Sequence, residues 1–178
     1  MRKIKFTLIF LPLILGVLIY LLYRSRNLFY YNLIHFLDMN GYVILAREAA
    51  WLYRKLFPTW SIYSLPDGLW LFSTGAAFLL CRNNYLVHCV WFSCIYILMI
   101  VIEYVQKFYG GHGTMIGTFD KKDIMTFTIA YISINIVAFI LRKLDKNYRY
   151  KMTLKAEIIE NFYYSFIFLL LGILPSML

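Results

Sequence analysis

The sequence predicts an all-α fold: a polytopic membrane helical bundle with about five transmembrane helices and an interfacial helical segment between the first and the second. Three observations predict it. The 178 residues are 62% hydrophobic, with a mean hydropathy of +0.66, whereas soluble domains are about 45–50% apolar. The apolar residues fall into runs of membrane-crossing length separated by short polar stretches. Aromatic content is high, at 16 Tyr and 15 Phe. Tyrosine collects at membrane–water boundaries because its ring is apolar and its hydroxyl is wet. The length suits one integral membrane domain over residues 1–178.

The first predicted span covers residues 6–23, after Arg2, Lys3 and Lys5. It is longer than the apolar region of a cleaved signal peptide. It is followed by Tyr-Arg-Ser-Arg rather than by small residues, so it reads as an uncleaved signal anchor. Pro12 is placed to kink it. Residues 24–64 hold no run long enough to span. Leu28–Leu37 is short and aromatic, and Asp38-Met39-Asn40-Gly41 is a turn signal. Gly41–Phe57 reads as a helix mixing Arg47, Glu48, Arg54 and Lys55 with Trp51, Tyr53 and Leu56, the pattern of a segment lying in the membrane interface.

The second span covers residues 65–80, with Ser64 as N-cap, Pro66 in the first turn and Asp67 as the cap's partner. Its Ser73-Thr74-Gly75-Ala76-Ala77 run offers a small-residue face for close helix packing. Arg82-Asn83-Asn84 forms a turn into the third span, 85–105. A glycine-rich loop follows up to Asp123, then the fourth span, 124–141. A basic connector with Arg142, Lys143, Lys146, Arg149, Lys151 and Lys155 leads to the fifth span, 158–174.

The net charge is +9. The basic residues sit between apolar spans and form no nucleic-acid motif, so they speak for topology and for anionic lipid, and against nucleic-acid partners. With the N-terminus in the cytoplasm of a plasma (inner) membrane, ten Lys and Arg face inward and eight outward. The dense 142–155 group favours this orientation. Cys81, Cys89 and Cys94 form no C-x-x-C pair and read as small apolar packing residues.

Alternating spans bring four of the nine acidic residues to one membrane face: Asp67, Glu103, Asp120 and Asp123. Ionisable groups at membrane depth are costly and default to a functional hypothesis. Glu103 near a helix C-terminus opposes the macrodipole, and Gln106 shares its helical face. Asp120 and Asp123 suit the start of the fourth helix as caps. Carboxylates so gathered could bind a divalent cation, hold one proton between two carboxyls, or grip a cationic ligand. His112, in Gly110-Gly111-His112-Gly113, could serve as acid or base beside them. The loop lacks the strand and the G-K-[ST] of a phosphate loop. Neither H-E-x-x-H nor a nucleophile elbow occurs.

Glu103-Tyr104-Val105-Gln106, then a loop, then Asp120-Lys121-Lys122-Asp123 resembles the VanZ-like membrane proteins, with Pro66-Asp67 as an earlier acidic helix start. The likeness covers about residues 60–141. The family often carries Arg in the loop and Asn-Gly in the next helix, where this chain has His112 and an Asn135 without a following Gly. The resemblance implies a cell-envelope role at the outer face and a small polar or lipid-linked ligand, held by Glu103, Gln106, Asp123, Asp67, Asp120 and His112. It implies no reaction. Partners would be membrane lipids, a lipid-linked envelope precursor or another membrane protein. Two alternatives stand beside it. One is a metal-dependent membrane-embedded enzyme acting on a lipid headgroup. The other is a non-catalytic accessory subunit that offers the small-residue face of the second span to its partner.

Overall fold

The structure, a computed structural model, describes residues 2–24, 29–81, 84–111, 118–144 and 154–173. His112, the Arg82-Asn83 part of the predicted turn, residues 145–153 of the basic connector and the end of the fifth predicted span lie outside the described residues. The described chain is all-α. Helix α1 (Arg2–Tyr23) is followed by α2 (Phe29–Phe36), α3 (Asn40–Leu52), a 3₁₀ turn at Arg54–Leu56 and α4 (Thr59–Tyr63). Then come α5 (Leu65–Cys81), α6 (Tyr85–Tyr109), α7 (Lys121–Leu144) and α8 (Leu154–Ile173).

Among the described residues three helices are long and apolar enough to cross a membrane: Lys3–Tyr23, Tyr85–Tyr109 and Lys121–Leu144. The other two expected spans are shorter apolar helices, Leu65–Leu80 and Ile158–Leu171. Helix α5, at 17 residues, rises about 25 Å, less than the hydrocarbon thickness of about 30 Å. Helix α6 continues past the expected end at Val105, because Gln106, Lys107, Phe108 and Tyr109 carry no breaker. Gly110 ends it, its N–H still bonded to the Gln106 carbonyl at 2.8 Å.

Helix α5 is the hub, touching α1, α4, α6, α7 and α8. Its contacts fix the topology. Ser73 donates to the Ile9 carbonyl, near the turn that Pro12 loosens, and Tyr20 donates to Asp67, so α1 and α5 are antiparallel. Gly68 meets Thr126, Gly75 meets Ile134, and Arg142 Nε donates to the Leu79 carbonyl at 2.8 Å, so α5 and α7 are parallel. Helix α6 runs against α7 along a polar seam. In it Ser93 and Tyr131 share a hydrogen bond at 2.7 Å, Tyr96 and Thr128 one at 3.0 Å, and the Tyr96 and Tyr131 rings stack at 4.4 Å. Helix α8 is tied on by His88–Asn161 (2.8 Å), Trp91–Ser165 (2.8 Å) and Trp70 to the Phe168 carbonyl (2.8 Å).

The core between these helices is Leu71, Leu79, Leu80, Phe92, Phe127 and Ile134, with Ala76, Ala130 and Ala138 at the closest approaches. The outer faces are apolar as well, with Phe10, Ile14, Ile97, Val101, Ile132 and Phe139 all exposed. Such exposure is costly in water and neutral in lipid. The small-residue run of α5 is consumed inside the chain: Ser73, Thr74, Gly75 and Ala76 are buried. It is therefore no free face for a partner, as the accessory-subunit alternative required.

The segment between α1 and α5 folds over the end of α1. Arg47, buried on α3, donates to the carbonyls of Leu21 and Arg24 and to the Tyr31 hydroxyl. Trp51 Nε1 donates to the Leu22 carbonyl at 2.9 Å. The last carbonyls of a helix lack intrahelical partners and carry partial negative charge. A guanidinium answers both needs. Asp38 (φ 54°) ends α2 in a left-handed turn, with Met39 N–H bonded to Ile34 O and Asp38 N–H to His35 O, both 3.1 Å, the geometry of a Schellman stop.

A methyl group on Gly75 would lie 2.5 Å from Phe92 Cζ and 2.8 Å from Ile134 Cγ2, both side chains fully buried. On Gly41 it would meet nothing within 4 Å. We expect Gly75→Ala to destabilise the protein by about 1–3 kcal/mol through overpacking. Gly41→Ala should be neutral or slightly stabilising. Thermal unfolding in detergent checks both, and equal effects would refute the packing account.

Candidate functional site

Four helix ends meet at one end of the bundle: the C-terminal ends of α1 and α6, and the N-terminal ends of α5 and α7. They carry Tyr20 and Arg24, Glu103, Ser64 with Asp67, and Asp120 with Asp123. Close packing sets this register. Gly68 lets α5 approach α7 until a Cβ there would sit 3.0 Å from Thr126 Cβ and 3.2 Å from its carbonyl oxygen. Thr126 also donates to the Ser64 carbonyl at 3.1 Å, tying the start of α5 to α7.

Asp67 does not act in a capping pair. The chain passes directly from α4 into α5 through Ser64, whose φ of −99° and ψ of −34° are helical. An N-cap needs an extended backbone, so the Ser64 side chain is released from that task. Its hydroxyl is fully buried and hydrogen-bonds to the Asp123 carboxylate instead. Asp67 instead accepts a hydrogen bond from the Tyr20 hydroxyl at 2.9 Å. That hydroxyl in turn accepts from Arg24 Nη2 at 3.3 Å, and the same nitrogen donates to the Tyr63 carbonyl at 2.8 Å. The guanidinium lies 4.5 Å from the Tyr20 ring centre and 5.1 Å from that of Tyr63. It is held between two aromatic faces, close enough to act electrostatically on Asp67 and Asp123.

Asp120 behaves as the expected cap, its Oδ1 accepting from Lys122 N–H at 2.9 Å. Asp123 is then free of that task, and its Oδ1 is buried without a hydrogen-bond partner. Glu103 is 6% exposed. Its carboxylate accepts the Asp120 N–H at 3.4 Å, a long contact, and it feels the charges of Asp123, Asp67 and Asp120. The Lys107 ammonium lies over Phe119 and Phe108, at 5.7 and 5.9 Å. Gln106 is half-buried one turn beyond Glu103. Lys121 and Lys122 are exposed.

The other three expected acidic residues are thus within electrostatic reach of Glu103. Among the described residues no three His, Cys, Asp or Glu side chains are placed to hold a metal ion. Tyr20, Arg24 and Tyr63 join the site without having been read from the sequence. The available signal was the i, i+4 spacing of Tyr20 and Arg24 at the end of the first span, facing the same way as Asp67 at the start of the next.

The architecture is that of a polytopic, largely hydrophobic helical membrane protein. Comparison with protein-family models, curated proteins and solved structures finds no match to this chain.

Arg24 acts on Asp67 through Tyr20, so the two charges should be coupled. In a double-mutant cycle, Arg24→Gln and Asp67→Asn should together cost less than the sum of the single changes. The expected difference is about 0.5–3 kcal/mol, because Arg24→Gln alone leaves a half-buried carboxylate without its countercharge. Additive changes in thermal stability would show the network to be inert.

Proposed function

We propose that this chain is a five-span cell-envelope protein of the plasma (inner) membrane, N-terminus in the cytoplasm and VanZ-like in its Glu-x-x-Gln and Asp-x-x-Asp motifs. Its outward end binds a small polar or lipid-linked ligand. The helices α5 and α8 cross as the two shorter spans, and the whole chain acts as one membrane domain. Glu103, Asp123 and Asp67 line the ligand site, with Asp120 and Gln106 at its edge.

The observation that carries this reading is an imbalance. Among the described residues, four carboxylates share one end of the bundle with one guanidinium among them, and that guanidinium is engaged with Tyr20 and Tyr63. Among the described residues Glu103 and Asp123 have no basic hydrogen-bond partner, and the buried Asp123 Oδ1 accepts no hydrogen bond. Buried polar groups are almost always satisfied in a fold tuned only for stability. Like charges held together raise the energy of the folded state, and sites kept for function commonly carry such a cost. A ligand bringing positive charge and hydrogen-bond donors would relieve both.

The test is thermal stability in detergent without added ligand. Glu103→Gln and Asp123→Asn keep the side-chain shape and remove the charge. Each is expected to raise Tm by a few degrees, equivalent to about 0.5–2 kcal/mol. A lowered Tm for both would mean that these carboxylates cap and pair within the fold, and the site reading would fail.

A further inference from the structure

We propose that the segment from α3 to α4 is a binding surface for anionic phospholipid. Its apolar stripe enters the boundary between headgroups and acyl chains, and Arg54 and Lys55 meet lipid phosphates. This surface is separate from the acidic helix ends and does not depend on the ligand-site reading.

The direction of α3 follows from its hydrogen bonds. Arg47 donates to the carbonyls of Leu21 and Arg24, and Trp51 donates to that of Leu22. The Tyr23 hydroxyl donates to the Ala50 carbonyl at 3.4 Å. Four residues cover about 6 Å along a helix, yet Arg47 and Trp51 meet the same turn of α1. Helix α3 therefore crosses the end of α1 instead of continuing beside it. Because α1 is of membrane-crossing length, α3 lies close to the membrane plane. Its depth is that of the last turn of α1, where the apolar run gives way to Tyr23 and Arg24.

On a helix turning about 100° per residue, Tyr42, Leu45 and Leu52 fall opposite Arg47. They are 75%, 66% and 80% exposed. Open apolar side chains in such a row are costly in water, whereas a helix lying in the membrane boundary buries them there. Residues 51–60 then read Trp-Leu-Tyr-Arg-Lys-Leu-Phe-Pro-Thr-Trp, all exposed except the half-buried Arg54. Tryptophan and tyrosine settle at the membrane–water boundary. The end of α6 marks the same level with exposed Tyr104, Phe108 and Tyr109.

The charges name the lipid. Arg54 and Lys55 stand among these rings, and residues 49–66 contain no acidic residue. Glu48 lies on the flank of α3, about 80° from the centre of the stripe. Arg54 Nη1 makes a long contact to the Phe57 carbonyl, at 3.5 Å, which a phosphate oxygen can replace. Two neighbouring cations framed by apolar and aromatic side chains complement an anionic leaflet.

The test uses the full chain with a fluorescent reporter on the stripe, Leu45→Trp or Leu52→Trp. Each variant is reconstituted in vesicles of dioleoyl phosphatidylcholine and dioleoyl phosphatidylglycerol in equal amounts. The reporter's emission is the difference from wild type. In parallel samples only one of the two lipids is brominated in its acyl chains. Brominated lipid should quench both reporters, several-fold more strongly when phosphatidylglycerol carries the bromine. That preference should weaken with added salt and fall to parity when Arg54→Gln and Lys55→Gln are combined. The proposal is overturned if brominated lipid quenches neither reporter. Quenching by aqueous iodide would then place the stripe in water, and shielding from both quenchers together with a cross-linked dimer would assign it to a second copy of the chain. Equal quenching by the two brominated lipids also overturns it, as does a preference that survives loss of both charges. The comparison of the two lipids decides even if the charge variant fails to fold.

Discussion

Everything in this fold depends on how closely α5 can approach its neighbours. Gly68 lies against the backbone of Thr126 and Gly75 against Phe92 and Ile134, with no room for a side chain at either. In lipid, apolar surface gives helices no reason to associate with each other rather than with acyl chains. Association must come from tight van der Waals contact and from interhelical hydrogen bonds. The glycines supply the first, while Ser73–Ile9, Trp70–Phe168 and Arg142–Leu79 supply the second. Because α5 holds α1 on one side and α7 on the other, its position fixes which residues of those helices share a level. Tyr20, Asp67 and Asp123 meet for that reason.

The same logic explains the folded-over segment between α1 and α5. A helix ending near the membrane surface leaves carbonyls that need donors, and water there competes poorly with a well-placed guanidinium. Arg47 and Trp51 come from one face of α3, at i and i+4, and reach consecutive carbonyls of the last turn of α1. The segment is thereby anchored by polar contacts, while Tyr42, Leu45, Leu52 and Leu56 stay on its outside. Docking α3 there also holds the end of α1, and with it Tyr20 and Arg24, over the start of α5.

The helical bundle was legible in the sequence because long apolar runs have few alternatives: backbone groups in lipid must bond within their own helix. That the helix ends carrying Asp67, Glu103, Asp120 and Asp123 lie at one end of the bundle was legible from alternation alone, since helices that reverse direction bring end to start. The partners were not. Whether Ser64 caps α5 depends on the backbone of the residues before it, and the short α4 helix removes that option. Arg47 read as a surface charge on an amphipathic helix, because nothing local shows that the end of α1 lies beneath it. Arg24 stands outside the apolar run and gives no sign of folding back between two tyrosines. The bounds of α5 were read almost to the residue, and α8 begins at Leu154, ahead of the expected start at 158, because Lys155 and Glu157 interrupt the apolar run without breaking the helix.

Polar groups are placed in two different ways in this bundle, and the contrast bears on what they do. Along the α6–α7 seam they are neutral and matched: Ser93 with Tyr131, Tyr96 with Thr128, and the Tyr85 hydroxyl with the Asn135 side-chain oxygen. Such contacts inside a membrane are each worth about 0.6 kcal/mol, and they hold α6 against α7 in a defined register. At the end of that seam, in the same two helices, the pattern changes. Glu103 and Asp123 are both acidic, and are left with one long hydrogen bond and an oxygen that accepts none. A sequence able to match hydroxyls and amides along several turns could have supplied a lysine turned toward Glu103. Instead Lys107, one turn away, rests on aromatic rings. The seam delivers two carboxylates to a fixed position, and among the described residues no basic side chain is turned toward them there.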